Sequence, residues 1–299
     1  MEYGLVNVDS GLFISLERYK LIDGIVYLLT EIDTGQVPAG HNSAKYINLD
    51  GERVLSTRHE PRDVTIEGFV IASSRKEMSE RKAVLNKLIL PRAELGLTYG
   101  KYILSFRADR SVIYSTEWAE NNQLLCKFLI QGTAHMPLWR LRSGRVFQES
   151  RLQGVPMFPL IIPSGRGKPY GVVPAFSVNN VFNEGDVAAG FTLRIKAARG
   201  AVTNPKVLNK KTQDFVEIIA GMSMGDELEI CTVPGSQGVR LFTFADNVEI
   251  DMFGAVTFAS RMSTSLNVGE NDFALTAANG FENMDAVISF SPLWLEVQT

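Results

Sequence analysis

The sequence predicts a mainly β protein of two domains, an N-terminal α+β domain with one helix packed on a sheet and a C-terminal β-sandwich or jelly roll. Three observations predict it. The 299 residues exceed the ~250 at which a single core usually stops growing. Short apolar runs bounded by Gly, Asn, Asp and Pro recur along most of the chain, as strands do. Only one segment, beginning at Ser74, has helical spacing with a start and a stop. A hydrophobic share of 45%, a charged share of 21% and a mean hydropathy of +0.02 are those of a folded chain.

The first domain is assigned to residues 1–140. Runs Gly11–Leu16, Gly24–Leu29 and Val64–Ile71 read as strands. Between the second and third lies a polar stretch, 31–62, broken by Gly35, Pro38, Gly40, Gly51 and Pro61. It offers little to a core and reads as a long loop or extended arm, and loops of that length in compact domains usually serve function. Ser74-Arg75-Lys76-Glu77 is a capping-box pattern, Met78, Leu85, Leu88 and Ile89 follow at helical spacing, and Pro91 ends the helix near residue 90. Residues 97–107, 111–118 and 124–132 then read as further strands.

Residues 141–173 are expected to form a basic connector. The stretch from Met136 to Pro174 holds half of the chain's 12 prolines among Arg140, Arg142, Arg145, Arg151, Arg166 and Lys168. Proline removes ladder donors and suits a linker better than a sheet interior. The second domain, 174–299, alternates almost throughout: Phe191–Lys196, Phe215–Ile219, Leu228–Thr232, Phe273–Thr276, Ala286–Phe290 and Leu293–Val297. Strands at such spacing suggest the sandwich.

Composition narrows function. A formal net charge of -3 lacks the basic excess that phosphate neutralisation demands, so nucleic acid is not expected as the main ligand. Cys126 and Cys231 fall one in each domain and read as two reduced, buried thiols. No apolar run approaches the ~20 residues of a membrane helix, and no leader pattern opens the chain, so synthesis is expected in a cytoplasm without membrane insertion.

Catalytic patterns fail residue by residue. Gly165-Arg166-Gly167-Lys168 needs Gly at Ile162 and Ser or Thr at Pro169 to be a phosphate loop. His41, His59 and His135 have no second His or Cys at metal-ligand spacing. Neither cysteine sits in an activating context, and strand alternation puts Glu227 and Glu229 on an exposed face. No enzyme, metal or cofactor is expected. Exposed aromatics on a sandwich can stack on sugar rings, which makes Trp139, in the connector region, the candidate glycan contact; Trp294 reads as core.

Arg62-Asp63-Val64-Thr65-Ile66-Glu67-Gly68-Phe69-Val70, the helix ending at Pro91, and Leu97-Thr98-Tyr99-Gly100 together resemble the N-terminal domain of distal tail proteins of long-tailed, non-contractile bacteriophages. Asn183-Glu184-Gly185-Asp186-Val187, Asn204-Pro205, the turn Asn209–Thr212, Gly225–Thr232, Gly269–Phe273 and Phe290-Ser291-Pro292 are similar to the galectin-like sandwich that closes such proteins. Order and spacing carry the resemblance, and no inserted module of a hundred residues is present to add saccharide binding. It implies a virion protein at the tail tip: a homo-hexameric hub whose N-terminal domains form the ring and whose C-terminal domains project outward, with DNA passing through the lumen. Implied partners are the tail-tube protein, a tail-tip or tail-associated lysin protein, and receptor-binding proteins at the side. Ring closure needs two different complementary surfaces per protomer, and the 31–62 stretch, with Gly35, Pro38, His41, Tyr46 and Arg53, is the candidate inter-subunit arm. The alternative reading is a carbohydrate-binding adhesin that contacts a host cell wall. A tail-like bacteriocin or gene-transfer particle would use the same hub.

Overall fold

The computed structural model describes residues 3–18, 26–46, 50–148, 153–154, 171–172 and 177–297. Two compact units divide the chain: Met1–Arg142 with Trp294–Thr299, and Ser143–Leu293. The C-terminal residues thus belong with the first unit, although the sequence places them in the sandwich.

The first unit is built from β1 (Tyr3–Asn7), β2 (Phe13–Leu16), β3 (Tyr27–Asp33), β4 (Ala39–Lys45), β5 (Glu52–His59), β6 (Arg62–Ile71), α1 (Arg75–Leu88), β7 (Leu95–Tyr99), β8 (Tyr102–Ala108), β9 (Ile113–Tyr114), β10 (Leu125–Ala134) and β11 (Trp139–Leu141). Its main sheet runs β2-β1-β7-β8-β10-β6-β3. The two end strands meet through a parallel bridge between Glu17 and Leu28. Strands β6 and β10 pair from Ile71–Leu125 to Arg62–Ala134. Alternation along β6 sends Val64, Ile66 and Val70 inward, the period-2 pattern of a half-buried strand. Gly68 breaks that series for a steric reason: a Cβ there would stand 2.5 Å from the Leu28 carbonyl oxygen and 2.7 Å from the Phe128 ring.

Helix α1 starts where the capping pattern puts it. The Ser74 hydroxyl accepts from the Glu77 amide at 3.3 Å, and the Glu77 carboxylate accepts from the Ser73 amide at 2.8 Å. The Glu77–Arg81 ion pair braces the first turn, and Arg81 also donates to the Ile71 carbonyl. Met78, Leu85 and Leu88 form its buried face. Residues 97–107, read as one strand, are instead the hairpin β7–β8, because Gly100 takes a φ of 56° and turns the chain between Tyr99 and Tyr102.

Among the described residues strands β4 and β5 pair only with each other, so the polar stretch is a ribbon rather than a loop. The register slips between Asn42 and Ser43, which leaves Leu55 as the unmatched residue. Residues 41–46 and 50–59 are exposed throughout.

The second unit contains β12 (Arg145–Gln148), β13 (Gln153–Gly154), β14 (Gly171–Val172), β15 (Ser177–Asn183), β16 (Phe191–Ala197), β17 (Val202–Asn209), β18 (Phe215–Glu217), β19 (Gly221–Met222), β20 (Glu227–Cys231), β21 (Gly238–Thr243), β22 (Val248–Asp251), β23 (Gly269–Asn279) and β24 (Met284–Phe290), with β25 (Leu293–Trp294) leading back to the first unit. One sheet runs β12-β24-β16-β20-β21-β22, a second β15-β23-β17-β18 with β19 beside β17, and β13 pairs with β14 in a third. All these pairings are antiparallel. Inward residues of the first two sheets share one core. Phe191 and Phe273, from opposite sheets, meet edge to face at 5.3 Å, a contact worth about 0.5–1.5 kcal/mol beyond its buried area.

The connector assigned to 141–173 contains strand from the start. Strand β12 pairs with β24 from Arg145–Phe290 to Gln148–Val287, and β11 pairs with β8. Four residues free of proline suffice to extend a sheet edge, whatever the composition around them. The Pro156, Pro159, Pro163, Pro169 and Pro174 positions, with Arg151, Arg166 and Lys168, lie outside the described residues. Asn204-Pro205 sits within β17, where Asn204 adopts a φ of 51° and Pro205 pairs with Ala277.

Candidate assembly surfaces

Side chains that could carry chemistry are dispersed. Among the described residues no group of three or more His, Cys, Asp or Glu is placed to hold a metal ion. His41 Nδ1 lies 2.9 Å from the Thr57 hydroxyl on the exposed ribbon. Glu229 and Glu227 both flank Arg194, at 2.8 and 3.8 Å, as surface ion pairs of the kind that contribute little. Cys126 and Cys231 are free thiols, the first buried and the second partly so. Among the described residues no helix is long and apolar enough to cross a membrane.

The five arm candidates all fall on the β4–β5 ribbon or its root. Gly35 takes a φ of 60°, and its amide donates to Asp33 Oδ1 at 2.7 Å. The Pro38 carbonyl accepts from the Glu60 amide at 2.8 Å, which ties the two legs together. His41 is in β4, Tyr46 follows it, and Arg53 is in β5. Tyr46, Val54 and Leu55 each expose about half of their surface. A lone two-stranded ribbon is marginal in water, and this one has neither face covered within the protomer.

Trp139 is not available to a sugar. It is 5% exposed, and the Arg62 guanidinium lies 6.0 Å from its ring centroid. Strand alternation in β11 turns it inward, where a position in a connector would have left it free. Trp294 packs edge to face on Tyr102 at 5.0 Å. The exposed tryptophan is Trp118, at 84%, on the turn whose Glu120 and Asn121 amides donate to the Glu117 carbonyl.

Arg62 is itself unusual at 2% exposure. Its Nη1 donates to the Leu295 carbonyl at 3.3 Å, while Nε and Nη2 have no partner. Burial pushes its pKa down and the Glu296 carboxylate pulls it back up. Burial also raises the phenols of Tyr27 and Tyr114 above the ordinary tyrosine range. Tyr27 donates to the Arg81 carbonyl, and Tyr114 to Asn86 Oδ1 at 2.9 Å.

Two apolar surfaces were not foreseen from the sequence. On the first unit Val8, Leu12 and Phe13 are exposed around the β1–β2 turn. On the second, Met224, Phe244, Val248, Ile250 and Phe253 are exposed near the free edge strand β22. Alternation sorts residues between two faces but does not reveal that a terminal strand has both uncovered, as all four residues of β22 do.

No family model and no curated protein matches the sequence. Solved structures do match its fold. The SPP1 Dit (gp 19.1) protein, described as a paradigm of the hub adsorption apparatus in phages that infect Gram-positive bacteria, superposes with a TM-score of 0.64 over 97% of this chain and 98% of its own, at 12% identity. A chain of the phage P2 baseplate in its activated conformation with Ca covers 97% of both, at a TM-score of 0.49 and 9% identity. Across both units and nearly its whole length, the chain is similar in fold to the SPP1 Dit protein.

Proposed function

We propose that the protein is a structural virion component, a homo-hexameric hub at the distal end of a long non-contractile phage tail. The observation that carries the reading is the superposition on the SPP1 Dit protein over 97% of this chain and 98% of that one. The first units would close the ring, with the β4–β5 ribbon as the arm that reaches a neighbour. Such a ring joins the tail-tube protein to the tail-tip or tail-associated lysin protein and leaves a lumen for DNA. The apolar edge at β22 supports a docking role for the second unit, because exposed apolar patches of this kind mark interaction sites; receptor-binding proteins are the fitting partners.

Negative-stain images of the purified chain test this. The hub reading expects six-fold rings with an open centre; particles without rotational symmetry at any concentration would overturn it. The adhesin reading loses Trp139 and keeps Trp118, so binding of host wall polysaccharide that is lost in Trp118→Ala, by a chain that forms no rings, would favour it instead.

A further inference from the structure

We propose that the cleft between the first half of α1 and the 117–124 loop binds an anionic saccharide, with Trp118 of the same loop as its stacking platform. The site lies within the first unit and does not depend on the hub reading.

The loop is held in one shape by its own hydrogen bonds. The Glu117 carbonyl accepts the Glu120 and Asn121 amides at 3.1 and 2.8 Å, and the Lys127 amide donates to the Glu120 carbonyl at 2.8 Å. Asn121 Nδ2 donates to the Ser115 carbonyl at 2.7 Å, and Asn122 Oδ1 accepts the Leu124 and Leu125 amides at 2.9 and 3.0 Å. A loop so tied presents Trp118, 84% exposed, and Leu124, 56% exposed, with little chain entropy left to lose on binding.

The cleft measures about 450 Å³, within the range of small-ligand sites. Buried Met78 gives it an apolar base, and Arg75, Lys82, Asn121, Asn122 and Gln123 line its walls. Amide side chains carry donor and acceptor on one group and match the adjacent hydroxyls of a sugar ring. Among the described residues Asn122 Nδ2 and the Gln123 amide have no partner. Trp118 precedes Asn121 by three residues, at most ~11 Å of chain, so one saccharide can meet both the amides and the indole face.

Charge selects the kind of saccharide. Lys82 donates to Asn121 Oδ1 at 3.2 Å and lies 4.9 Å from the Tyr114 ring centroid, which holds its ammonium at the cleft wall. Among the described residues neither Lys82 nor Arg75 has an ion pair. Of the acids around them, Glu77, Glu80 and Glu120 are taken by Arg81, Lys76 and Lys127, and Glu117 does not line the cleft. Two unneutralised cations in one cleft favour a phosphate or carboxylate on the sugar. Single-stranded nucleic acid would need a longer basic groove with several aromatic platforms, which one indole does not make.

Acrylamide quenching of tryptophan fluorescence in the full-length chain tests the site, because Trp118 is far more exposed than Trp139. Glucose 1-phosphate and glucuronate should each shield the fluorescence and bind roughly tenfold more tightly than glucose, the factor that one charge-assisted hydrogen bond supplies. In calorimetric titrations Arg75→Gln with Lys82→Gln should bring both acids down to the affinity of glucose, and Arg75→Gln alone, at an exposed side chain, should give part of that loss. Trp118→Ala should weaken all three ligands, and an unchanged urea midpoint shows that each variant is folded. Four results would each overturn the inference: no binding of either acid, a preference for them that survives the double substitution, inorganic phosphate bound as tightly as glucose 1-phosphate, or oligothymidylate bound more tightly than both acids. Six-fold rings alongside any of these would leave the hub standing.

Discussion

Replacing Arg62 separates two opposing effects in the core of the first unit. Wild-type Arg62 gains a hydrogen bond to the Leu295 carbonyl, worth about 1.5–3 kcal/mol for a charged donor, and a contact with Trp139 worth about 0.5–2 kcal/mol. Against these stand two buried donors, Nε and Nη2, with no partner, each costing about 1–3 kcal/mol. The sums nearly cancel. Arg62→Met keeps the volume and removes the orphan donors, so it should change stability by no more than about 1 kcal/mol, in line with exchanges of buried ions for apolar side chains. Arg62→Ala adds a cavity and should cost about 2–3 kcal/mol more than the Met variant. Trp118, Trp139 and Trp294 all belong to the first unit, so tryptophan fluorescence during urea unfolding reports on that unit. The Ala midpoint should fall about 1 M below that of Met for an m-value in the usual range. A Met variant destabilised as much as the Ala variant would show that the guanidinium is a net stabiliser and refute this balance.

Three further outcomes follow from the first unit. Gly68→Ala forces a Cβ against the Leu28 carbonyl, and thermal unfolding should register a loss of at least the ~1–3 kcal/mol typical of overpacking. Ser74→Ala removes the hydroxyl that accepts the Glu77 amide and should cost about 1 kcal/mol, measured by the same unfolding curve and recovered by Ser74→Asp. Tyr27 and Tyr114 have raised pKa values when folded, so their neutral phenols favour the native state fully below the unfolded value of ~10. That contribution is lost as pH rises through the folded values; phenolate absorbance should therefore develop late and together with unfolding, and Phe substitutions at both positions should abolish the late step.

The fold class was legible because local chemistry and tertiary context agree over much of the chain. The capping box at Ser74 and the stop at Pro91 mark α1 to within two residues, and alternation in 64–71, 191–196 and 286–290 identifies inward faces that the cores use. The misses share one cause, that pairing is non-local. Nothing within Arg145–Gln148 announces β24 as its partner, and nothing in Trp294 announces Tyr102 rather than the sandwich. The ribbon hid because its strands are mostly polar and their apolar Val54 and Leu55 are consecutive, so no period marks them. Its place was still readable as a long polar stretch, and Gly35, Pro38, His41, Tyr46 and Arg53 do share one element and its root. Trp139 failed for the opposite reason: the density of proline after it suggested a connector, while its own strand turns it inward beside Arg62.

The mass of the chain in solution, measured by sedimentation velocity over a range of concentrations, tests the hub most directly. The hub requires a discrete species at six times the 33.1 kDa chain, and that species should disappear when residues 36–56 are deleted while both units remain folded. A single species at one chain mass throughout, or a hexamer that survives loss of the ribbon, would contradict the ring or its arm respectively.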